Sequence, residues 1–169
     1  MLSFRFATKD DVDIYFKWTN DPSVRENSLA SSEINYKDHV KWFLSKLNSS
    51  NAFLYVFLNE KKESVGQVRI EKLKDRIFVG QSVDIKHRGK KYSSEMLKKA
   101  TDDYLIKFPK DTIISVIKKN NAPSIKMSIN SGLIIVNTDD RCDELLVLKG
   151  NKQNDQGFIQ ASKRLYNLI

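Results

Sequence analysis

The segment VDIKHRGKKYSSEMLKKA, residues 83–100, contains residue types that bind phosphate. An apolar strand pattern leads into a basic turn, Arg88, Gly89, Lys90 and Lys91, and then into a helical pattern. The first N–H groups of a helix have no backbone partners and lie at the positive end of the helix dipole, so they attract phosphate. Gly89 allows the backbone to approach a ligand, and Arg88 can donate to two oxygens. The segment predicts a phosphate-binding turn; the alternative is a solvated basic helix start.

The elements that must position this turn predict a single mixed α/β domain over residues 1–169. Strand patterns occupy residues 3–7, 52–59, 64–73, 76–85, 112–117, 133–138 and 143–150. Helical patterns follow a cap at Asp10 or Asp11 and occupy residues 36–47, 90–107 and 121–132, with a short helix over 158–169 in an extension that begins at 150. Residues 19–35 are predicted to form a polar loop, and its length in a compact domain indicates a binding segment.

Composition restricts the ligand further. The net charge of +8 admits nucleic acid, a membrane surface or a phosphate-rich small molecule, and the bunching of cations at residues 86–91 favours the small molecule. Two histidines and one cysteine, Cys142, form no metal-ligand cluster, so no metal is expected. No apolar run reaches the roughly 18 residues of a membrane span, and no secretion leader is recognisable, so the expectation is a cytoplasmic protein without a membrane partner.

The order of the elements resembles the Gcn5-related N-acetyltransferase superfamily over about residues 1–149. In that superfamily the turn after the fourth strand reads Arg/Gln-x-x-Gly-x-Gly/Ala and binds the pyrophosphate of acetyl-coenzyme A. The matching residues here are Arg88, Gly89, Lys90, Lys91, Tyr92 and Ser93, with Lys91 in place of the first motif glycine and Ser93 in place of Gly or Ala. The resemblance implies a mixed, mostly antiparallel, twisted and splayed sheet flanked by helices, with acetyl-coenzyme A as the cofactor.

A second motif supports the same resemblance. The segment NAPSIKMSINSGL, residues 121–133, is similar to the Asn-x-x-Ser-Ile stretch of the superfamily, in which Asn121 and Ser124 would bind the pantetheine arm and the phosphate end. Asn121 can also cap the helix, which contributes about 1 kcal/mol, and both roles are compatible. The resemblance further implies that the main chain of Val83 and Ile85 pairs with pantetheine, with the Val83 N–H as oxyanion donor.

A third likeness concerns the acceptor. The segments YFKWTNDPSVRENS, residues 15–28, and HVKWFLSKL, residues 39–47, resemble acetyltransferases that modify amino sugars on a nucleotide carrier, including the pseudaminic-acid pathway type. The residues that carry this likeness are Trp18, Asn20, Asp21, Arg25, His39 and Trp42. Aromatic rings would stack on base or sugar, Arg25 would bind diphosphate, and Asn20 and His39 would bind hydroxyls. The alternatives are core packing for both tryptophans, a structural histidine, and a solvated Arg25.

The catalytic groups follow from direct attack of a neutral amine on the thioester, which requires a base for the amine proton and an acid for the thiolate. The strand segment IFVGQS carries no carboxylate, so the base is predicted to be Ser82 with an ordered water, and after it His39; Glu71 and Asp84 are the nearby carboxylates. Relatives place a tyrosine acid where this chain has Ser128, which could pass on a proton only through water, with Tyr92 as the substitute.

The leading hypothesis is therefore an acetyl-coenzyme A-dependent N-acetyltransferase that acts on a nucleotide-linked, UDP-type amino sugar. Acetylation of a protein or peptide α-amine is an alternative within the same chemistry, and a non-catalytic acyl-coenzyme A-binding module is an alternative of another class. A nucleic-acid-binding module is not favoured because the aromatic residues fall at core spacing. A homodimer is left open.

Overall fold

The computed structural model describes residues 1–137 and 144–150, which contain a seven-stranded sheet in the order β1-β2-β3-β4-β5-β7-β6. The strands are β1 (Ser3–Phe6), β2 (Ala52–Leu58), β3 (Ser64–Leu73), β4 (Arg76–Val83), β5 (Ile113–Lys118), β6 (Ile134–Asn137) and β7 (Glu144–Lys149). The helices are α1 (Val12–Thr19), α2 (Pro22–Asn27), α3 (Tyr36–Leu47), α4 (Tyr92–Lys107) and α5 (Ala122–Asn130). Short 3₁₀ helices at Lys9–Asp11 and Ile85–His87 precede α1 and follow β4.

Neighbouring strands are antiparallel at every pairing except one. β4 and β5 are parallel, and their register is limited to Ile77 with Ile113 and Phe78 with Ile114. Beyond Phe78, β4 pairs with β3 alone, while β5 continues its pairing with β7. The two halves of the sheet therefore diverge from Phe78 onward, and the mixed, splayed sheet predicted from the sequence is confirmed.

Helices cover both faces of the sheet because successive strand residues point to opposite faces. Leu54 and Val56 of β2 pack with Tyr15 of α1 and Phe43 of α3. The alternate residues of the same strand, Tyr55 and Phe57, pack with Met96, Ala100 and Tyr104 of α4. The apolar periodicity of residues 36–47 correctly predicted the bounds of α3.

The predicted polar loop over residues 19–35 is wrong in its first part, because α2 forms within it. The Asp21 carboxylate accepts hydrogen bonds from the N–H groups of Ser23 and Val24, and Pro22 occupies the first turn of the helix. Proline suits that position because its missing N–H would have no helical partner there. An Asp-Pro pair thus starts a helix too short to show apolar periodicity.

Several predicted boundaries and one predicted helix cap also differ from the structure. β4 ends at Val83 instead of Ile85, because the Asp84 side chain accepts from the Lys86 N–H and starts a 3₁₀ helix. Helix α4 begins at Tyr92 and not at Lys90. Asp11 makes no side-chain cap of α1; its carboxylate binds Arg5 at 2.6 and 2.7 Å.

The predicted turn at residues 139–141 and the C-terminal extension, with its helix over 158–169, lie outside the described residues. Within the described ranges, no helix has both the length and the apolar composition needed to cross a bilayer. No group of three or more His, Cys, Asp or Glu side chains in those ranges is arranged to hold a metal ion.

Candidate active site

A cleft of about 530 Å³ opens where β4 and β5 diverge. One wall is formed by α2, and the opposite wall by the starts of α4 and α5. The residues that line the cleft are Ser23, Val24, Asn27, Ser28, Gln81, Ser82, Val83, His87, Arg88, Gly89, Lys91, Tyr92, Ser93, Asn120, Asn121, Pro123, Ser124 and Met127. Nine residues predicted from the sequence are among them: Ser82, Val83, Arg88, Gly89, Lys91, Tyr92, Ser93, Asn121 and Ser124.

The backbone of β4 presents hydrogen-bonding groups to this cleft. The Asp84 N–H donates to the Val65 carbonyl on β3 at 2.9 Å. Residues of an antiparallel strand alternate between bonding toward one neighbour and toward the other. The N–H groups of Val83 and Gln81 therefore point to the opposite side, where β5 has moved away. Ile85 lies outside the strand, with its side chain 61% exposed, so the pairing edge ends at Val83.

The basic turn adopts two left-handed backbone conformations. Gly89 has φ of 77° and Lys91 has φ of 62°. The left-handed conformation costs a residue with a Cβ about 1 kcal/mol, so a glycine would suit the Lys91 position better. Lys91 is the N-cap residue of α4 but makes no side-chain cap, which leaves the first N–H groups of the helix open toward the cleft. Lys90 is exposed beside the turn and does not line the cleft.

The Arg88 guanidinium is bound within the protein. Its Nε donates to the Val83 carbonyl oxygen at 3.2 Å, and its Nη1 donates to Ser23 Oγ at 2.8 Å. Its Nη2 forms an ion pair with Asp21 Oδ1 at 2.8 Å. Burial opposes ionisation of Asp21, but the hydrogen bonds from Arg88 and Ser23 outweigh it and lower the pKa of the carboxyl. Arg88 therefore connects the basic turn to the start of α2.

Ser82 is held in place by its neighbour on β3. Gln67 pairs with Ser82 in the strand register, and its Nε2 donates to Ser82 Oγ at 3.0 Å. Both side chains are buried, and Gln67 Oε1 has no hydrogen-bond partner among the described residues. Ser82 thus has a fixed position at the cleft wall, with one lone pair of its hydroxyl already used.

The wall formed by α5 differs in part from the prediction. Asn121 Oδ1 accepts from the Ser124 N–H at 3.2 Å, so Asn121 caps the helix, and both residues line the cleft. Ser128 is 0% exposed, and its Oγ has no partner among the described residues. Met127 lines the cleft instead, with its Sδ accepting from Gln81 Nε2 at 3.0 Å.

Trp18 does not line the cleft, and its indole anchors α1 to the end of β4. Its Nε1 donates to Asp84 Oδ2 at 2.9 Å, and Lys17 Nζ donates to the same oxygen at 2.9 Å. Burial alone would raise the pKa of Asp84, but hydrogen bonds from Lys17, the Lys86 N–H and Trp18 hold it at about 2. A carboxylate so strongly stabilised in its charged form is unsuited to accept a proton near neutral pH.

The two aromatic residues predicted on α3 also lie away from the cleft. His39 is 2% exposed, its Nε2 donates to the Val12 carbonyl oxygen at 3.0 Å, and its ring packs on Phe16 and Phe43. Burial lowers the pKa of His39, which favours the neutral ring. Trp42 is half-buried, and the Arg69 guanidinium lies 5.8 Å from its ring centroid. These positions fit helix packing, the alternative stated for them above.

Asn20 and Arg25 bind the segment that follows α2. Asn20 accepts from the Ile34 N–H at 2.9 Å and donates to the Ile34 carbonyl oxygen at 3.3 Å. Arg25 donates from Nε to the Ser32 carbonyl oxygen at 3.0 Å and from Nη2 to the Ala30 carbonyl oxygen. Neither residue lines the cleft, and both bind the backbone of residues 30–34.

Several cleft residues were missed by sequence reasoning. On the α2 wall these are Ser23, Val24, Asn27 and Ser28, and elsewhere they are Gln81, His87, Asn120, Pro123 and Met127. The Asp-Pro helix start was the available signal for the α2 wall. His87, whose buried Nδ1 has no partner among the described residues, directly precedes the basic turn and could have been included with it.

The family of the chain follows from its sequence profile. The profile of the Acetyltransferase (GNAT) domain family matches residues 2–134. The chain belongs to this family. GNAT acetyltransferases use acetyl-coenzyme A, so this protein is an acetyl-coenzyme A-dependent enzyme that acetylates amines. No curated protein sequence matches the chain.

Solved structures share the fold of this acetyltransferase at low sequence identity. A domain from Methanocaldococcus jannaschii DSM 2661 is 19% identical, with TM-score 0.73, covering 88% of this chain and 97% of that one. Spermidine N-acetyltransferase from Vibrio cholerae, in complex with CoA and spermine, is 10% identical, with TM-score 0.75 and coverage of 90% and 96%. The aminoglycoside acetyltransferase AAC(6')-Ib, in complex with coenzyme A, is 15% identical, with TM-score 0.71 and coverage of 92% and 98%.

The described residues fit acetyl-coenzyme A. The uncapped start of α4 and the left-handed turn at Gly89 and Lys91 supply N–H groups and positive charge for phosphates. The unpaired edge of β4 up to Val83 supplies backbone groups for an extended amide chain. The coenzyme contributes the activated acetyl group, and the protein positions it against the amine.

Proposed function

We propose that this acetyltransferase transfers the acetyl group to the primary amine of a nucleotide-linked amino sugar. The main support is the division of the cleft into two chemically different walls. The α4 and α5 wall carries the residues suited to the coenzyme. The α2 wall presents Ser23, Asn27 and Ser28, whose uncharged oxygens can accept hydrogen bonds from the hydroxyls of a sugar. The likeness of residues 15–28 to nucleotide-sugar acetyltransferases also supports the proposal, because Ser23, Asn27 and Ser28 belong to that segment.

In the proposed reaction, the pantetheine arm lies along the open edge of β4 and the amine approaches from the α2 side. The amine nitrogen attacks the thioester carbonyl carbon, and the carbonyl oxygen becomes an oxyanion that accepts from the Val83 N–H. The C–S bond then breaks as the carbonyl re-forms. The products are the N-acetylated acceptor and the coenzyme A thiolate.

Two proton transfers complete the reaction. Ser82 positions a water that accepts the proton of the attacking amine, since its own Oγ already accepts from Gln67. Tyr92, which lines the cleft, donates a proton to the thiolate. Ser128 and His39 are both buried away from the cleft lining, so they are not assigned a proton-transfer role.

The test combines titration calorimetry with acetyl-coenzyme A and a thiol-release assay over a panel of amines. The panel contains a UDP-linked amino sugar, the same sugar without the nucleotide, a peptide α-amine and spermidine. The UDP-linked sugar is expected to give the highest kcat/KM. Asn27→Ala should raise the KM of that sugar several-fold without changing the Kd of acetyl-coenzyme A, and Lys41→Ala, on the exposed side of α3, is the control.

The other outcomes of these assays would identify one of the alternative functions or contradict the coenzyme site. Turnover of the peptide but not of the sugar would identify a peptide N-terminal acetyltransferase and refute the proposal. Binding of acetyl-coenzyme A without thiol release for any amine would identify a non-catalytic acyl-coenzyme A-binding module. Absence of heat on titration would contradict the coenzyme site itself.

A further inference from the structure

Arg69 lies on the face of the sheet that packs against α1 and α3. It pairs with Gly80 in the β3–β4 register, and its guanidinium lies over the Gly80 backbone. A Cβ built at Gly80 would lie 3.1 Å from Cζ and from Nη2 of Arg69. The absence of a side chain at Gly80 is therefore what makes room for this guanidinium.

This position adjoins the cleft next to Ser82, although neither Gly80 nor Arg69 lines it. Gly80 and Ser82 are alternate residues of β4, so their side-chain positions share one face of the sheet, about 7 Å apart. Ser82 lines the cleft, and the residues suited to the coenzyme lie on α4 and α5. An acceptor whose amine lies next to Ser82 would extend its remaining groups over Gly80, toward Arg69.

Neighbouring side chains hold the guanidinium in place. It lies 5.8 Å from the centroid of the Trp42 ring, and its Nε is 3.1 Å from Glu71 Oε1. The Arg69 side chain remains 32% exposed. The nearby aromatic ring and the carboxylate restrain the guanidinium, whose Nη edge can make a bidentate contact with an oxyanion.

The charge around Arg69 is positive. Glu71 is shared between Arg69 and Lys46, whose Nζ is 2.6 Å from Glu71 Oε2. Burial lowers the pKa of Arg25, and the nearby charge of Arg69 lowers it further. The Arg25 guanidinium itself donates to carbonyl oxygens. Glu71 is therefore shared by two cations, and Arg25 adds a third positive charge near Arg69. Among the described residues that line the cleft, none is Asp or Glu.

We propose that Arg69 is a specificity-determining residue that binds an oxyanion of the acceptor, so that the preferred amines also carry a phosphate or a carboxylate. This inference rests on the proposed transfer to an amine in this cleft. A polycation such as spermidine or kanamycin would bring positive charge to a surface where Glu71 is already paired with Lys46 and Arg69. The oxyanion can come from a nucleotide diphosphate, a sugar phosphate or an amino-acid carboxylate.

The test compares acceptors that differ in their anionic group. Glucosamine, glucosamine 6-phosphate, a UDP-linked amino sugar, a free amino acid, spermidine and kanamycin are assayed for kcat/KM at low and at high salt. Wild type should prefer the best anionic amine over glucosamine and over the polycations by at least about tenfold, and high salt should reduce this preference. The best of the three anionic amines identifies the source of the oxyanion.

Arg69→Met should abolish this preference by raising the KM of the anionic amines, while glucosamine is affected less than about twofold. Arg69→Lys, which keeps the charge, should restore part of it. Lys72→Met removes a cation from the exposed end of the same strand and is the matched control. The acetyl-coenzyme A Kd and the melting temperature of each variant show whether the fold and the coenzyme site are intact.

The outcomes separate this inference from the proposed function. Turnover of another anionic amine but not of the UDP-linked sugar would refute the proposed acceptor and support the role of Arg69. Equal kcat/KM for the UDP-linked sugar in wild type and Arg69→Met would support the function and overturn the inference. Spermidine or kanamycin as the best acceptor would overturn it as well.

Discussion

Arg88 Nη2 and Asp21 Oδ1 lie 2.8 Å apart. This ion pair joins the basic turn before α4 to the N-cap residue of α2. Asp21 has a second function, since the same carboxylate oxygen accepts from the Ser23 and Val24 N–H groups. The basic turn and the α2 wall of the cleft are therefore joined by one ion pair. A coenzyme phosphate that recruits Arg88 must compete with Asp21 for it.

Asp21→Asn should therefore strengthen coenzyme binding. Asparagine still caps a helix, so α2 should be retained, but the charge that holds Arg88 is lost. A partly exposed ion pair contributes up to about 1 kcal/mol, so the Kd of acetyl-coenzyme A measured by calorimetry should fall by up to about fivefold. An unchanged or increased Kd would mean that Arg88 does not exchange partners. Asp21→Ala, which also removes the cap, separates the two effects.

The backbone conformation of Lys91 predicts an unusual order of stabilities. Lys91→Gly and Lys91→Ala both remove the charge, but only glycine adopts φ near 62° without steric cost. The glycine variant should be more stable than the alanine variant by about 1 kcal/mol in urea denaturation. Both should bind acetyl-coenzyme A more weakly than wild type to a similar extent, because both lose the cation. An alanine variant as stable as the glycine variant would contradict the left-handed turn.

Asp84 should make stability depend on pH at the acid end. Its folded pKa of about 2 lies below the ordinary carboxyl value of about 3.9. The unfolded chain therefore binds the proton more readily, so the contribution of Asp84 is complete above about pH 4 and is lost as the pH falls toward 2. Asp84→Asn should lower the free energy of unfolding by about 2 kcal/mol at pH 7, the scale of charged hydrogen bonds. In urea denaturation this difference should shrink below pH 4, and a constant difference would refute the account.

Ser128 and Tyr92 can be compared as proton donors. Ser128→Ala removes a buried hydroxyl without a described partner, so stability should be unchanged or higher by up to about 1 kcal/mol, with kcat unchanged. Tyr92→Phe removes a hydroxyl at the cleft and should lower kcat by about tenfold or more, while the Kd of acetyl-coenzyme A stays within about twofold. A larger loss of kcat for the Ser128 variant would restore it as the acid.

The segments that form the α4 and α5 wall of the cleft could be predicted from the sequence because their signals are local. A strand, a basic turn with Gly89 and a helix start are adjacent in the chain, and Asn121 with Ser124 is a helix N-terminus in its own right. The backbone in such segments is nearly determined by the residue types. The positions of both segments at one cleft then follow from the order of the elements.

The positions of Trp18 and His39 could not be predicted in this way because their contacts span long distances in the sequence. The periodicity that places Trp18 and His39 on helix faces is the same for a core residue and for a ligand-binding residue. Only the fold reveals that Trp18 contacts Asp84, which lies 66 residues further along the sequence. Ser128 shows a second limit of prediction from the sequence. Neighbouring helical positions differ by about 100°, so an error of one residue selects Ser128 where Met127 lines the cleft.

The separation of β4 from β5 beyond Phe78 has a thermodynamic consequence. In the proposed complex this incomplete ladder receives its missing main-chain partners from the coenzyme, so the abundance of the coenzyme and the resistance of the protein to denaturation become linked. At a concentration one hundred times its Kd, a ligand selective for the native state adds about 2.7 kcal/mol. In a cell, the survival of this enzyme would then follow the supply of its own acyl donor.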